Sequence, residues 1–477
     1  MNYEVVIGLE VHAQLLTRSK MFCGDSADYD GAPPNTHVCP VCLGMPGVLP
    51  VINAQAVEYT VMTGLALNCQ IPEFARFDRK NYPYPDLMKG YQISQYDLPF
   101  CVNGWLEIAL DGEPRRIGIR RVHLEEDTAK LIHMGHYSLV DVNRAGVPLI
   151  EIVSEPDIRS AEEARLYLIK LRQILRWIGV SSGDMEAGAL RCDANISVRP
   201  RGATELGVKT EVKNMNSFRA VKLALEYEAQ RQLNLLAHGG KILQETRGWV
   251  ESAGHTVGQR SKEFAHDYRY FPEPDLPPVV LTREWVAEIR SKLPELPDER
   301  HRRFVTTYGL STYDADLLTA ERPIADYFET AVKAAPPGVE PKAIANWVAG
   351  ELFRQMKVRE VGIEEVKIGP AQIGALQALV QSGTISISVA KTVFEEMFAT
   401  GKDAATIVRE RGLTQISDAA QLGAVVDQVI AGNPQAVADY RSGKETALRF
   451  LVGQVMKATR GQANPGLATE ILQAKLK

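Results

Sequence analysis

The usual signatures of nucleotide and hydrolytic chemistry are missing from this sequence. It has no Gly-x4-Gly-Lys-Ser/Thr phosphate loop and no His-Glu-x-x-His. No Ser or Cys is visibly paired with a base, which argues against a protein nucleophile. Six cysteines in 477 residues are too few for a disulfide framework in a chain of this size. No apolar stretch is long enough to span a bilayer. The opening Met1-Asn2-Tyr3-Glu4-Val5 enters a strand-like pattern without the charged-then-apolar layout of a signal peptide. A soluble cytoplasmic protein without a membrane partner is the expectation. A basic surplus is lacking too. The formal charge of −5 argues against a wholly basic nucleic-acid binder, though not against one local basic surface.

The length fits about two to four domains with a large core. Strand-like runs mixed with Gly and Pro turns fill the first part, at 4–15, 105–110, 117–124, 147–153 and 194–198. Two helices interrupt them. Ser160-Ala-Glu-Glu163 is a capping-box pattern for a helix closing at Gly179, and Ser217 caps one closed by Gly239-Gly240. Beyond Leu281 only helical spacing remains, broken at Pro336-Pro337-Gly338, Gly383, Gly401, Gly412 and Gly432. The expected fold is α+β: an antiparallel-sheet domain over 1–293, an all-helical domain over 294–407 and a small helical tail over 408–477. From Arg441 to Lys477 there are seven Lys or Arg against two Glu, so the tail is net basic.

Three extended stretches put acid and imidazole groups where they can converge: Glu10-Val-His12, His123-Leu-Glu125 and the run ending at Glu151. Residues two apart in a strand share a face. Carboxylates aimed at one place suit magnesium, which prefers oxygen ligands. A sheet with one wet face gives the same alternation without a site. Cys23, Cys39, Pro40 and Cys42 form a second cluster, in which a Cys-Pro-x-Cys turn can present two thiolates to zinc. Asp25 and His37 are the nearby candidates for a fourth ligand. A metal-free reduced loop remains equally open. Arg76, Arg79, Lys80 and Lys89 crowd among Tyr82, Tyr84 and Tyr91, a mixture that can hold phosphate and base. Packed tyrosines beneath a solvated loop would look alike. Arg191, Asp193 and Asn195, then Glu211, Lys213 and Met215, each fall on one side of an extended segment facing water or a polar cavity.

Several long motifs follow one another along the chain: Ile7-Gly-Leu-Glu-Val-His-Ala-Gln14, Cys39-Pro-Val-Cys-Leu-Gly44, Phe77-Asp-Arg-Lys-Asn81, His123-Leu-Glu-Glu-Asp-Thr128, Asn143-Arg-Ala-Gly-Val-Pro-Leu-Ile-Glu151, Arg191-Cys-Asp-Ala-Asn195 and Asp267-Tyr-Arg-Tyr-Phe-Pro-Glu-Pro-Asp275. In that order they resemble the GatB family of aspartyl/glutamyl-tRNA(Asn/Gln) amidotransferase subunits. The resemblance spans essentially the whole chain. It implies a cradle-like, kinase-like first domain working in a heterotrimer with an amidase partner and a small third partner. The implied reaction uses ATP and magnesium to phosphorylate the side-chain carboxylate of Glu-tRNA(Gln) or Asp-tRNA(Asn). Ammonia from the amidase then displaces the phosphate.

By the same resemblance Glu10, His12, Glu125 and Glu151 would hold magnesium, with Glu125 and Glu10 central to catalysis. Magnesium prefers oxygen, so His12 could act through water. Lys80 and Lys89 would line the ammonia path or bind ATP phosphates, with Arg191 and Asp193 in the same cavity. Lys444, Lys457 and Arg460 would contact tRNA phosphates. The chain departs from the family at Asp25, where many members have cysteine, and at Met88, Ala129 and Gln259. Zinc would then rest on Cys23, Cys39 and Cys42 with Asp25, or be lost. The rival readings are a non-catalytic tRNA-holding scaffold and a free-standing metal hydrolase acting on phosphate esters.

Overall fold

The computed structural model describes residues 3–261, 268–414, 419–459 and 461–476. They belong to two units, Met1–Leu296 and Pro297–Lys477. The alternation near the start of the chain becomes strand β1 (Tyr3–Gln14), which buries Ile7, Leu9, Val11 and Ala13 while Glu10, His12 and Gln14 are only half-buried. The other strands that build or flank the site are β2 (Asp78–Asn81), β3 (Tyr91–Ser94), β4 (Cys101–Leu110), β5 (Glu113–Glu126), β6 (Pro148–Ser154), β7 (Leu190–Pro200), β8 (Thr210–Lys213), β9 (Glu245–Val250), β10 (His255–Ser261) and β11 (Phe271–Pro272). Eight of them form one sheet in the order β10-β9-β8-β7-β1-β6-β5-β4, and β11-β2-β3 form a small second sheet.

The large sheet is antiparallel throughout except for β8 beside β9, which run parallel. The exception has a simple cause. A helix, α3 (Phe218–Ala237), connects those two strands, and a crossover helix returns the chain in the same direction.

The expected helix caps are present. Ser160 Oγ accepts the Glu163 amide of α2 (Ala161–Trp177) at 3.1 Å, and Ser217 Oγ accepts the Ala220 amide of α3 at 3.0 Å. Glu163 departs from the reciprocal capping box. Its carboxylate takes the Arg159 amide, one residue before the cap, at 2.8 Å. The helices α2 and α3 pack against the sheet, with Leu168, Leu171, Leu175, Val221 and Leu225 in its core. Each such leucine contributes about 1.5–3 kcal/mol by leaving water. One face of the sheet is therefore sealed, and the other is left to the polar residues.

The pairing of β5 with β6 contains a bulge. Ile119 lies opposite Ser154 and Arg121 opposite Val153, so Arg120 has no partner. Before the bulge the odd positions Ile117 and Ile119 enter the core. After it the even positions Val122 and Leu124 do. The extra residue reverses the alternation and turns Arg121, His123 and Glu125 onto the polar face. Met215, expected beside Lys213, is buried in the core instead. Asn214 has a φ of 64°, which ends the extended run before Met215 and breaks its alternation.

The second unit is helical throughout its described residues, with one π-helical stretch over Trp347–Leu352. The helix Ala404–Arg411 runs through position 408 and stops at left-handed Gly412. Helices from Ala419 to Leu476 share a separate apolar core around Leu422, Val426, Leu451, Val455 and Leu472.

Candidate active site

Strand pairing sets the site in rows. Arg191 of β7, His12 of β1, Glu151 of β6 and His123 of β5 lie side by side across four strands. One step along, Asp193 pairs with Glu10. In the other direction Glu125 pairs with Leu149. Where the rows meet, two carboxylates are cross-braced by two imidazoles. His12 Nε2 is 3.4 Å from Glu151 and 3.6 Å from Glu125, and His123 Nε2 is 3.3 Å from Glu151 and 3.7 Å from Glu125. Ser94 Oγ donates to Glu125 at 2.9 Å from the small sheet. His12, Glu125 and Glu151 each present a ligand atom within 4.8 Å of the others.

The charges explain the protonation states. Burial drives the His12 ring down, but Glu151 and then Glu125 outweigh it and hold the ring up at about 9. His123 is raised against burial by the same two carboxylates. Glu151 pays the burial penalty too, yet His123 and His12 pull it well below the usual carboxylate range. Glu10 differs. Burial first, then repulsion from Glu151 and Asp193, push its carboxyl up, and Asn195 Nδ2 donates to it at 2.9 Å. A cation beside Glu10 and Glu151 would relieve that repulsion. The donor set fits a divalent ion through its oxygens, while the imidazole is the atypical member for magnesium.

A pH test follows from His12. Raising it from 6.5 to about 9 stabilises the fold fully below pH 6.5, and the contribution fades as pH climbs through 9. With chelator present, the melting temperature should fall over about pH 7 to 10, less steeply in His12→Gln. An equal slope in the variant would clear His12 of the effect.

The remaining predicted residues divide. Lys80 stands beside the centre. Its ammonium lies 4.9 Å from the Tyr268 ring and 5.7 Å from Tyr82, and Glu125 and Glu151 raise its pKa against burial. Lys89 does not join it. Its Nζ is bound to both oxygens of Glu126 at 2.6 and 2.8 Å, and Glu126, next in the strand to Glu125, points the opposite way. Lys89 and Glu126 line a cleft with Cys23, Cys42 and Asp275. Arg191 neighbours His12, but its guanidinium is taken by Asp127 at 2.5 Å, and Asp193 is paired with Lys213. The site residues missed from the sequence are His123 as a brace, Ser94, Asp127 and Arg121. The alternation Arg121, His123, Glu125 was a usable signal for two of them.

Cys23, Asp25, Cys39 and Cys42 also gather, each with a ligand atom within 4.8 Å of the others. Cys42 Sγ is 3.2 Å from Asp25 Oδ2 and 4.0 Å from Cys39 Sγ. A tetrahedral thiolate site with bonds of about 2.3 Å has edges near ~3.8 Å. A hydrogen bond from the Cys23 thiol, aided by the nearby cation of buried Lys20, lowers the Cys42 thiol to about 6 against its burial. His37 stays out of this group and gives its carbonyl to Lys20 at 2.8 Å.

In the tail, Lys444 and Lys457 sit at opposite ends of the helix Glu445–Ala458, so they do not form one patch. Lys444 is also paired with Asp439 at 3.1 Å. Arg460 lies outside the described residues, as does Asp267 of the seventh motif. No helix among the described residues is long and apolar enough to cross a membrane.

Residues 5–287 match the family described as the GatB/GatE catalytic domain, and residues 326–476 match the GatB domain. The chain is 60% identical over 480 residues to the aspartyl/glutamyl-tRNA(Asn/Gln) amidotransferase B subunit of Carboxydothermus hydrogenoformans, covering 100% of this chain and 99% of that one. The corresponding protein of Thermomicrobium roseum matches at 60% with the same coverage, and that of Thermodesulfovibrio yellowstonii at 58% with both chains covered in full. With both regions matched in order and the full length shared with these relatives, the chain belongs to the GatB family of aspartyl/glutamyl-tRNA(Asn/Gln) amidotransferase subunits.

Proposed function

We propose that this chain is the carboxylate-activating component of a tRNA-dependent amidotransferase of translation. One side-chain carboxylate oxygen of Glu-tRNA(Gln) or Asp-tRNA(Asn) attacks the γ-phosphorus of ATP, and ADP leaves. Ammonia then attacks the resulting acyl phosphate at carbon, and phosphate departs with formation of the amide. The observation that carries this reading is the group His12, Glu125 and Glu151 on a water-poor polar face beside Lys80, with no Ser, Thr or Cys among these four. Magnesium held there by Glu125 and Glu151, with Glu10 and His12 around it, would neutralise charge on phosphate oxygens. Lys80 would hold a phosphate or the reacting carboxylate without donating a proton, since its pKa is raised.

The partners proposed are an amidase that supplies ammonia from glutamine, a small third protein completing the heterotrimer, and the charged tRNA, all in the cytoplasm. Lys444 and Lys457 would meet tRNA phosphates, which position rather than specify. The test uses the assembled complex with ATP labelled on the γ-phosphate, magnesium and Glu-tRNA(Gln). Phosphate release that requires charged tRNA supports the reading. No release, with or without glutamine, favours a tRNA-holding scaffold.

We also propose a structural zinc on Cys23, Asp25, Cys39 and Cys42. The convergence of the four side chains and the Cys42–Cys39 spacing support it. Purified protein should carry about one zinc per chain, and Cys42→Ser should strip it and lower the melting temperature. Metal-free wild type, purified without chelator and in zinc-supplemented growth, would end this proposal.

A further inference from the structure

The proposed phosphate chemistry leaves one cation of the polar face unexplained. The bulge at Arg120 turns Arg121 onto the same side as His123 and Glu125. It lies across Val153 from Glu10, because both residues pair with Val153. Arg121 is thus one row from the His12–Glu151–His123 row, about 7 Å along the strand.

Its neighbours of the same charge are ion-paired to carboxylates, although Arg191 Nε is also buried without a hydrogen-bond partner among the described residues. Arg191 binds Asp127 at 2.5 Å, and Arg79 binds Glu273 at 2.7 Å. Arg121 has no carboxylate within ion-pairing distance among the described residues, and its Nε is buried without a hydrogen-bond partner. Two residues on, His123 Nδ1 is buried and unpartnered as well. Each such group carries a desolvation cost, larger when it is charged, so a ligand that satisfies it gains correspondingly.

The aromatic groups around Arg121 are equally particular. The guanidinium lies 5.7 Å from the Tyr96 ring, and Tyr96 stacks on Tyr270 at 4.4 Å and 12°. Tyr270 meets Tyr268 at 6.1 Å, and Tyr268 meets Tyr82 at 5.7 Å. Lys80 stands against the far end of this row of rings, over Tyr268 and Tyr82. A strap of four tyrosines therefore joins two cations, and neither cation is hydrogen-bonded to a carboxylate among the described residues. Glu125 and Glu151 act electrostatically on both Lys80 and Tyr270, so the carboxylate pair is close to the strap.

We propose that Arg121 is a phosphate-binding residue of this site. In this assignment it donates two hydrogen bonds to oxygens of the polyphosphate of the nucleoside triphosphate, at the end of the tyrosine strap opposite Lys80. The proposal rests on the functional reading above. It adds a residue, and it gives the polyphosphate two anchors at the two ends of the tyrosine strap. A guanidinium suits the task because its fork matches two phosphate oxygens at once.

The test measures MgATP binding by calorimetry on the assembled complex, with wild type, Arg121→Gln and Arg121→Lys. Manganese binding without nucleotide and the melting temperature are followed in parallel. Arg121→Gln should weaken MgATP by about 10-fold or more, as expected for a lost charge-assisted pair. Arg121→Lys should recover part of that loss, and manganese affinity should not move. Equal MgATP affinity in wild type and Arg121→Gln overturns the assignment and leaves the functional reading standing. If wild type binds no MgATP, the functional reading falls first. Inorganic tripolyphosphate then decides: binding that depends on Arg121 keeps it as an anion site, and binding that ignores Arg121 removes it. A melting temperature lowered in both variants, with nucleotide affinity intact, assigns Arg121 to the fold alone.

Discussion

Glu125→Gln should cut charged-tRNA-dependent phosphate release from ATP by at least about 100-fold, the scale on which a pre-set charge stabilises a transition state. Glutamine keeps the size and the Ser94 hydrogen bond, made at 2.9 Å, but removes the charge held between His12 and His123. Two changes follow together. A cation bound as proposed would lose one of its two carboxylate ligands, and the imidazoles are left with Glu151 alone. The fold should survive, because Glu151 still lies 3.4 Å from His12 and 3.3 Å from His123. tRNA affinity should change by less than about two-fold, since phosphate contacts elsewhere supply most nucleic-acid affinity. Filter binding of tRNA beside single-turnover phosphate release separates the two. Parallel loss of both would defeat the division of labour between this site and the tRNA-holding surface.

Deleting Arg120 should have an effect of the same size by a different route. Without the extra residue the β5–β6 ladder becomes regular, and one half of β5 must then present its wrong face. Either Arg121, His123 and Glu125 turn into a core now holding Val122 and Leu124, or Ile117 and Ile119 turn out of it. Burying an uncompensated charge costs several kcal/mol, so the deletion should lower the melting temperature and abolish MgATP binding. Arg120→Ala keeps the bulge, and the Arg120 side chain is exposed and paired with Glu155 on the surface. It should bind MgATP like wild type. A deletion variant that binds normally would show that the bulge does not aim these side chains.

The clearest sequence signal was alternation. Ile7, Leu9, Val11 and Ala13 against Glu10, His12 and Gln14 announced both the strand and its polar face. The caps Ser160 and Ser217 were equally legible, because an N-cap is a local bond between residues three apart. The α+β class and the helical second half followed from the change of period near Leu281. Met215 was misread because a single left-handed residue, Asn214, breaks the alternation before it. The family resemblance groups Lys89 with Lys80, and both sit in one basic, tyrosine-rich stretch, but the structure gives Lys89 to a different carboxylate. Its carboxylate partner, Glu126, follows Glu125 in the chain yet faces away from it.

What the sequence determined by itself was local and periodic: which segments extend or coil, which residues share a face, and which chemistry those residue types can perform. Those properties depend on bond geometry and on neighbours a few positions away. The tertiary structure decided convergence. Strand order brings Glu151 of β6 between His12 of β1 and His123 of β5, and no spacing along the chain contains that order. Among the described residues the same fold left Arg121 beside the centre without a carboxylate partner, while it supplied Asp127 to Arg191 and Glu126 to Lys89. Pairing across distant strands fixes distances of about 3–4 Å between groups far apart in the chain, and electrostatics at that range sets which of them hold protons.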